Sequence, residues 1–285
     1  IELAGHEPSR WIEIIRVITA FPEKEMTHAV ACLRSTFEAL SEADRFPVWA
    51  ALRDRINDHR RFPDAPWTLS EEKLAPFDAL IKDFEPESPV SSIIWMFDSW
   101  DFPTEDDKSI ENVRTEAVKE LLDKSGVDAL VELGHTVKQP YHVVEAIEQS
   151  KLDFSLLIKV LEKSIRNPNA MQFSVGISGL LRSVGGAAKS ETWFESFNER
   201  LELDGLTAAK LLLSWPMTTG TWFLAKRLGT AVFDRYWSYC NGYSLRGEGR
   251  SFLRGLLNLL KARRGSAFLE ATNKNLGDVP TRLIL

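Results

Sequence analysis

Apolar positions recur along this chain with the period of a helix. Trp11, Ile14, Ile15 and Ile18 fall at i, i+3, i+4 and i+7, on one helical face. Pro8 and Ser9 stand where a helix starts, and Phe21-Pro22 where one stops. Ala29, Leu33, Phe37 and Leu40 repeat the pattern over Met26–Leu40, and Trp49, Leu52 and Ile56 carry it to His59. The proline-bearing stretch from Arg61 to Pro66 breaks it. Ser70, Glu71 and Glu72 open the next helix, with acidic residues at its positive end and Leu74, Phe77, Leu80, Ile81 and Phe84 on its apolar side. Pro89–Trp95 fits a short helix or a strand, and helix is favoured because no partner strand is visible. Thr104–Asp107, after Phe102-Pro103, caps a long helix to about Lys124, which Gly126 closes. Further helices are predicted over Asp128–Thr136, Tyr141–Gln149, Phe154–Ile165, Ala170–Val184, Thr192–Leu203, Leu206–Trp215, Trp222–Leu228, Val232–Tyr239, Ser251–Arg263 and Ser266–Ala271. Asn241-Gly242 is a turn signal, and the tail from Asn273 reads as loop.

No stretch shows the two-residue alternation of a half-buried sheet. About fifteen short helices with short connections imply antiparallel neighbours. At this length a stack buries them more readily than one spherical core. The expected fold is therefore all-α: a right-handed stack of antiparallel helical hairpins, an irregular α-solenoid of the HEAT or TPR kind. A faint repeat points the same way. Phe21-Pro22, Phe62-Pro63 and Phe102-Pro103 recur at spacings of 41 and 40, and Pro140 and Pro216 lie 76 apart, near the 34–47 residues of two-helix repeats. Phe46-Pro47 breaks the series.

Charge divides the chain. From Ser70 to Ser125 there are 15 acidic and 6 basic residues, net −9; from Lys226 to Leu285 there are 11 basic and 4 acidic, net +7. We therefore expect an acidic N-terminal part, 1–125, and a basic, Trp-rich part, 126–285, within one continuous array. The total of −6 places nucleic acid at a disadvantage as a partner, and each pole is also what an ordinary solvated face looks like. Cys32 and Cys240 lie far apart with no metal or redox spacing, so a cytoplasmic, reducing compartment is expected. No apolar run is long enough to span a bilayer. The missing initiator Met and the apolar end from Thr281 to Leu285 suggest a region of a longer protein.

Trp49 to His59, the Phe62–Trp67 loop, Trp215-Pro216, Trp222 and Tyr236-Trp237 together resemble the irregular helical-repeat regions that lie beside nucleotidase or effector domains in large bacterial proteins. The resemblance covers about two thirds of the chain and rests on no named family motif. It implies sensing or scaffolding. The expected partner is a protein or neighbouring domains of the same chain, and no cofactor is expected.

Four sets of residues invite a chemical reading. Glu132 with His135, and His142 with Glu145, are i, i+3 pairs able to share a metal ion in a helical bundle. The second pair is reversed and Pro140 separates the two, so solvated or capping residues explain them as well. Arg53, Asp54 and His59 resemble the Arg–polar–His arrangement of helical HEPN-type ribonucleases, which implies action on a scissile phosphate and its 2′-hydroxyl. Both Arg53 and Arg55 miss that family's spacing to the histidine. The Gly185–Ser190 stretch lacks the glycines of a phosphate loop, and Gly176, Ser178 and Gly179 fit close helix packing better than a nucleophile elbow.

The last third concentrates aromatic rings beside cations, as binding hot spots do. Trp222, Arg227, Arg235, Trp237 and Tyr243 are the expected contact residues, on a concave side. Lys226, Arg246, Arg250 and Arg254 add to the basic excess. The competing reading is that these rings fill the core between short helices.

Overall fold

The helical period is realised throughout the computed structural model, which describes residues 5–98, 109–245 and 249–274. Among these residues fourteen α-helices follow one another: α1 (Pro8–Ile15), α2 (Glu23–Ala39), α3 (Glu42–Arg61), α4 (Glu71–Asp83), α5 (Ile94–Asp98), α6 (Ile110–Thr136), α7 (Pro140–Ser150), α8 (Phe154–Ser164), α9 (Met171–Leu201), α10 (Gly205–Leu212), α11 (Thr219–Arg227), α12 (Thr230–Tyr239), α13 (Gly249–Lys261) and α14 (Gly265–Lys274). Among the described residues there is no strand, only an isolated bridge between Met217 and Leu245. No helix among them is long and apolar enough to cross a membrane. Phe102-Pro103, the Thr104–Asp107 cap, Arg246 and the 281–285 end lie outside the described residues.

Local chemistry sets the helix ends. Ser41, Ser109, Asp153 and Asp204 each accept a backbone N–H of the first turn, satisfying donors that the helix cannot pair internally. Gly126 (φ 75°) and Gly186 (φ 67°) interrupt α6 and α9 with backbone that only glycine adopts without strain, so each long helix is two segments joined at a corner. The closure expected at Gly126, and the separate helix after it, are thus present as a corner rather than a loop. The Gly185–Ser190 stretch is the corresponding corner of α9: Ser190 Oγ donates to the Leu181 carbonyl at 3.0 Å.

The Phe-Pro pairs do not occupy equivalent places. Phe21-Pro22 precedes α2, Phe46-Pro47 lies inside α3 and Phe62-Pro63 follows it. Pro140 begins α7, and Pro216 lies between α10 and α11. Where they are described, these residues therefore stand at different points relative to the helices, and they lend the repeat no support.

The chain forms two compact units, Ile1–Ser150 and Lys151–Leu285; the charge-based division at 125/126 falls inside the first. Within the first unit α1 packs on α3, α4 on α2 and α3, and α5 on α6 and α7, while α6 pairs with α7. Its core joins Trp11, Ile15, Leu33, Phe37, Trp49 and Phe77. Trp49 Nε1 donates to the Ile81 carbonyl at 2.8 Å, so the ring that fills the core also satisfies the end of α4. Within the second unit α8 packs on α9, α9 on α10 and α11, α10 on α12, α12 on α11 and α13, and α13 on α14. Gly179 permits one close approach: a Cβ there would stand 3.3 Å from Ser214 Cβ. The small residues around Ser178 thus serve packing, and Ser178 Oγ donates to the Leu211 carbonyl across the same contact.

Candidate functional site

The second unit carries a cleft of about 460 Å³ where α11, α12 and α13 meet. Its apolar wall is Trp222, Phe223 and Phe233; its polar rim is Lys226, Arg254, Asn258 and Lys261. The chain builds it from helical spacing. Phe223 and Lys226 are i, i+3 on α11, and Arg254, Asn258 and Lys261 are i, i+4, i+7 on α13, so each set shares a face. Gly229, at φ 120°, ends α11 and lets α12 begin at once. Behind the wall, Trp222 packs on Trp237 with centroids 5.2 Å apart, and Phe233 meets Trp237 edge-on. Gly255 sets the depth. A Cβ there would come within 2.5 Å of Leu245 and 3.1 Å of the Trp222 ring, so only glycine lets α13 settle this near.

The electrostatics of the cleft are one-sided. Among the described residues no carboxylate lines it. Among them too, Lys226, Arg254 and Lys261 make no ion pair, whereas Arg227, one residue away from Lys226, is held by Glu191 and Glu195 on α9. Phe223 is 52% exposed, and Leu257 on α13 stands exposed beside the rim. Cation and apolar surface are therefore offered together.

The five expected contact residues separate. Trp222 and Trp237 are buried, at 4% and 2% exposure, and their surface role is corrected: they form the wall and backing of the cleft, because rings this large are what short helices have to fill the space between them. Arg227 is engaged by its two glutamates, a pairing that raises its pKa further. Arg235 and Tyr243 are exposed but do not line the cleft. The expectation missed Phe223, Phe233, Asn258 and Lys261. The signal that finds them is the i, i+4, i+7 row on α13, which carries cations opposite the buried Phe252, Leu256 and Leu259.

The ribonuclease-like set does not assemble. His59 is fully buried; its Nδ1 accepts the Leu69 N–H at 3.1 Å and its ring meets Trp67 edge-on at 5.0 Å. Burial, then Arg55, holds it below the ordinary histidine pKa. Arg53 instead lies over Trp95, its guanidinium 3.5 Å from the ring centroid, with its pKa lowered to about 10 by burial. The two residues answer to different neighbours, because His59 belongs to the core-facing stripe of α3.

The metal set fares likewise. No group of three or more His, Cys, Asp or Glu among the described residues is arranged to hold a metal ion. His142 Nδ1 lies 3.0 Å from Arg114 Nη1 and 3.4 Å from Glu145 Oε2. A guanidinium at that nitrogen opposes a second cation. Burial, then Arg114, keeps His142 below its ordinary pKa; His135 is lowered by burial against the pull of Glu132.

The first unit has a cavity of its own, about 730 Å³, with Ile12, Ile15, Phe46 and Trp95 among its apolar lining and Asp54, Asp58, Asp98 and Lys138 at its polar side. Desolvation by the packed helices raises the pKa of Asp54 and Asp98, although Lys138 pulls both down. Asp98 accepts the Lys138 backbone N–H at 2.6 Å. Arg16 and Arg55 line it too, so three cations face three acids there, whereas the second unit's cleft carries cations alone among its described lining. No family model, curated protein or solved structure matches this chain.

Proposed function

We propose that the chain is a non-catalytic interaction module, an irregular right-handed stack of helical hairpins that holds a partner protein and scaffolds or senses within a larger bacterial protein. The stack is supported by the packing order, in which helices lie on the next helix or the next but one. The glycine corners in α6 and α9 support it too, since they fold long segments back without a loop. The observation that carries the holding role is the cleft of the second unit, where three cations with no ion pair among the described residues stand beside an exposed Phe223. A folded chain gains nothing from water-exposed apolar surface ringed by idle charge, whereas an interface uses both.

An unbiased peptide-display selection on the purified chain tests this. Selected peptides are expected to compete with one another and to lose binding to the Phe223→Asp variant. Peptides that never compete, or that ignore the second unit altogether, would remove the reading.

A further inference from the structure

Resting on that reading, we infer that the occupant of the second unit's cleft is an acidic amphipathic helix of a partner protein, its apolar side seated on Phe223, Phe233 and Leu257 and its carboxylates set against Lys226, Arg254 and Lys261. Charge complementarity decides the sign of the partner. The described lining holds three cations and no acid, and none of the three is neutralised among the described residues. An interface that brings carboxylates here pairs charges that folding left unpaired.

The kind of partner follows from the rest of the surface. A cavity of about 460 Å³ is large enough for one or two bulky side chains and too small for a folded domain to enter. Helix α13 presents its cations in a straight row one helical face wide, and Leu257 extends the apolar surface alongside it. A row of this kind is complementary to a second helix bearing apolar anchors at i, i+3, i+4 and i+7 with acidic flanks. A single nucleic-acid strand matches it less well. Stacking needs exposed flat rings, and of Trp222, Phe223 and Phe233 only Phe223 stands exposed. Three cations on a chain of net charge −6 also give a phosphate backbone little purchase.

The test uses the full chain and a fluorescein-labelled peptide with Leu and Phe at i, i+3, i+4 and i+7 and Glu on both flanks. Fluorescence anisotropy is expected to report saturable binding that weakens with added salt. Each of Lys226→Glu, Arg254→Glu and Lys261→Glu should raise Kd about tenfold, equivalent to about 1.4 kcal/mol. Arg166→Glu, exposed elsewhere in the same unit, should leave it unchanged. Circular dichroism and melting check that each variant folds. The same peptide with Lys replacing Glu should not bind.

Absence of binding to wild type, or equal binding by the three charge-reversed variants, overturns the proposal. Preferential binding of oligo(dT) assigns the surface to nucleic acid and overturns it as well. Peptide binding seen only after truncation behind Lys274 makes the cleft the seat of this chain's own end, which rules out the partner helix too. Display-selected peptides that need Phe223 but carry no acidic residues would sink the acidic helix and leave the interaction module standing.

Discussion

Trp215 illustrates what the tryptophans of this chain do. It is buried, and its Nε1 donates both to the Ser178 carbonyl at 3.1 Å and to Ser178 Oγ at 3.0 Å. Phe194 meets its ring edge-on at 5.3 Å. One side chain thus fills space between α9 and α10 and satisfies buried acceptors in the same place. Trp215→Phe keeps most of the volume and removes the donor. It is expected to cost about 1–3 kcal/mol, the penalty for leaving buried acceptors short of a partner, read as a lower urea midpoint at unchanged slope. A midpoint equal to wild type would mean that the bonds contribute nothing. Asp54 offers the opposite sign. Its folded pKa is raised, so the ionised form is penalised in the folded state at neutral pH and relieved as pH falls toward the carboxylate range. Asp54→Asn should therefore stabilise at pH 7, by about 1–2 °C in Tm given its contact with solvent, and the gain should shrink as pH is lowered toward about 4, the ordinary carboxylate range. A gain that grows on acidification would refute this sign.

At the scale of elements, apolar spacing alone located nearly every helix, because helices that pack against neighbours must show a stripe. Met26–Leu40, Phe154–Ile165 and Val232–Tyr239 are recognisable in α2, α8 and α12 within a few residues. What periodicity misjudged is where a chain may turn without stopping. The predicted breaks around Gly126 and Gly185 are corners inside α6 and α9, since one glycine at positive φ changes direction without any loop residue. Proline does not stop either helix that contains one: Pro47 and Pro76 sit inside α3 and α4, and Pro76 falls within the stripe read from Leu74 to Phe84. The corner glycines give a clean test. At Gly186 a Cβ meets nothing within 4 Å, so Gly186→Ala acts only through backbone strain and should cost about 1–3 kcal/mol. At Gly185 the Cβ would strike the Phe154 ring at 2.5 Å, so Gly185→Ala should disturb the α8–α9 contact instead. Hydrogen exchange distinguishes them: strain loosens the corner, collision loosens α8. The cleft was half legible for a related reason. Composition located the aromatic and basic excess, but composition does not say which rings face inward. That is decided by the register of three helices around Gly255, which is a tertiary fact.

For the whole molecule, histidine placement separates the two units. His6, His28, His59, His135 and His142 all belong to Ile1–Ser150, and the sequence of the second unit has none. His59, His135 and His142 are held below the ordinary histidine pKa, in each case first by burial. The unfolded chain therefore binds more protons than the folded one once pH falls below about 6.5, the ordinary value. Stability of the first unit is full above that pH and declines on going down through it. Asp54 and Asp98 act with the opposite sign, but at lower pH, nearer the carboxylate range. In the second unit Asp153 and Asp204 lie below the usual carboxylate pKa because hydroxyl and backbone groups donate to them, so what they contribute is lost only near pH ~4 and below. Between about pH 7.5 and 5.5, the window that brackets the ordinary imidazole value, the two units should accordingly part company. Hydrogen-exchange protection, corrected for intrinsic rates, is expected to fall across the helices of the first unit and to hold steady across those of the second. His59→Gln should flatten part of the first unit's decline, at the cost of lower protection at the upper end of that window, since a buried ring that closes the α3–Leu69 contact is being replaced. Equal decline in both units would show that buried imidazoles do not govern the response, and that the acid sensitivity lies in groups common to both.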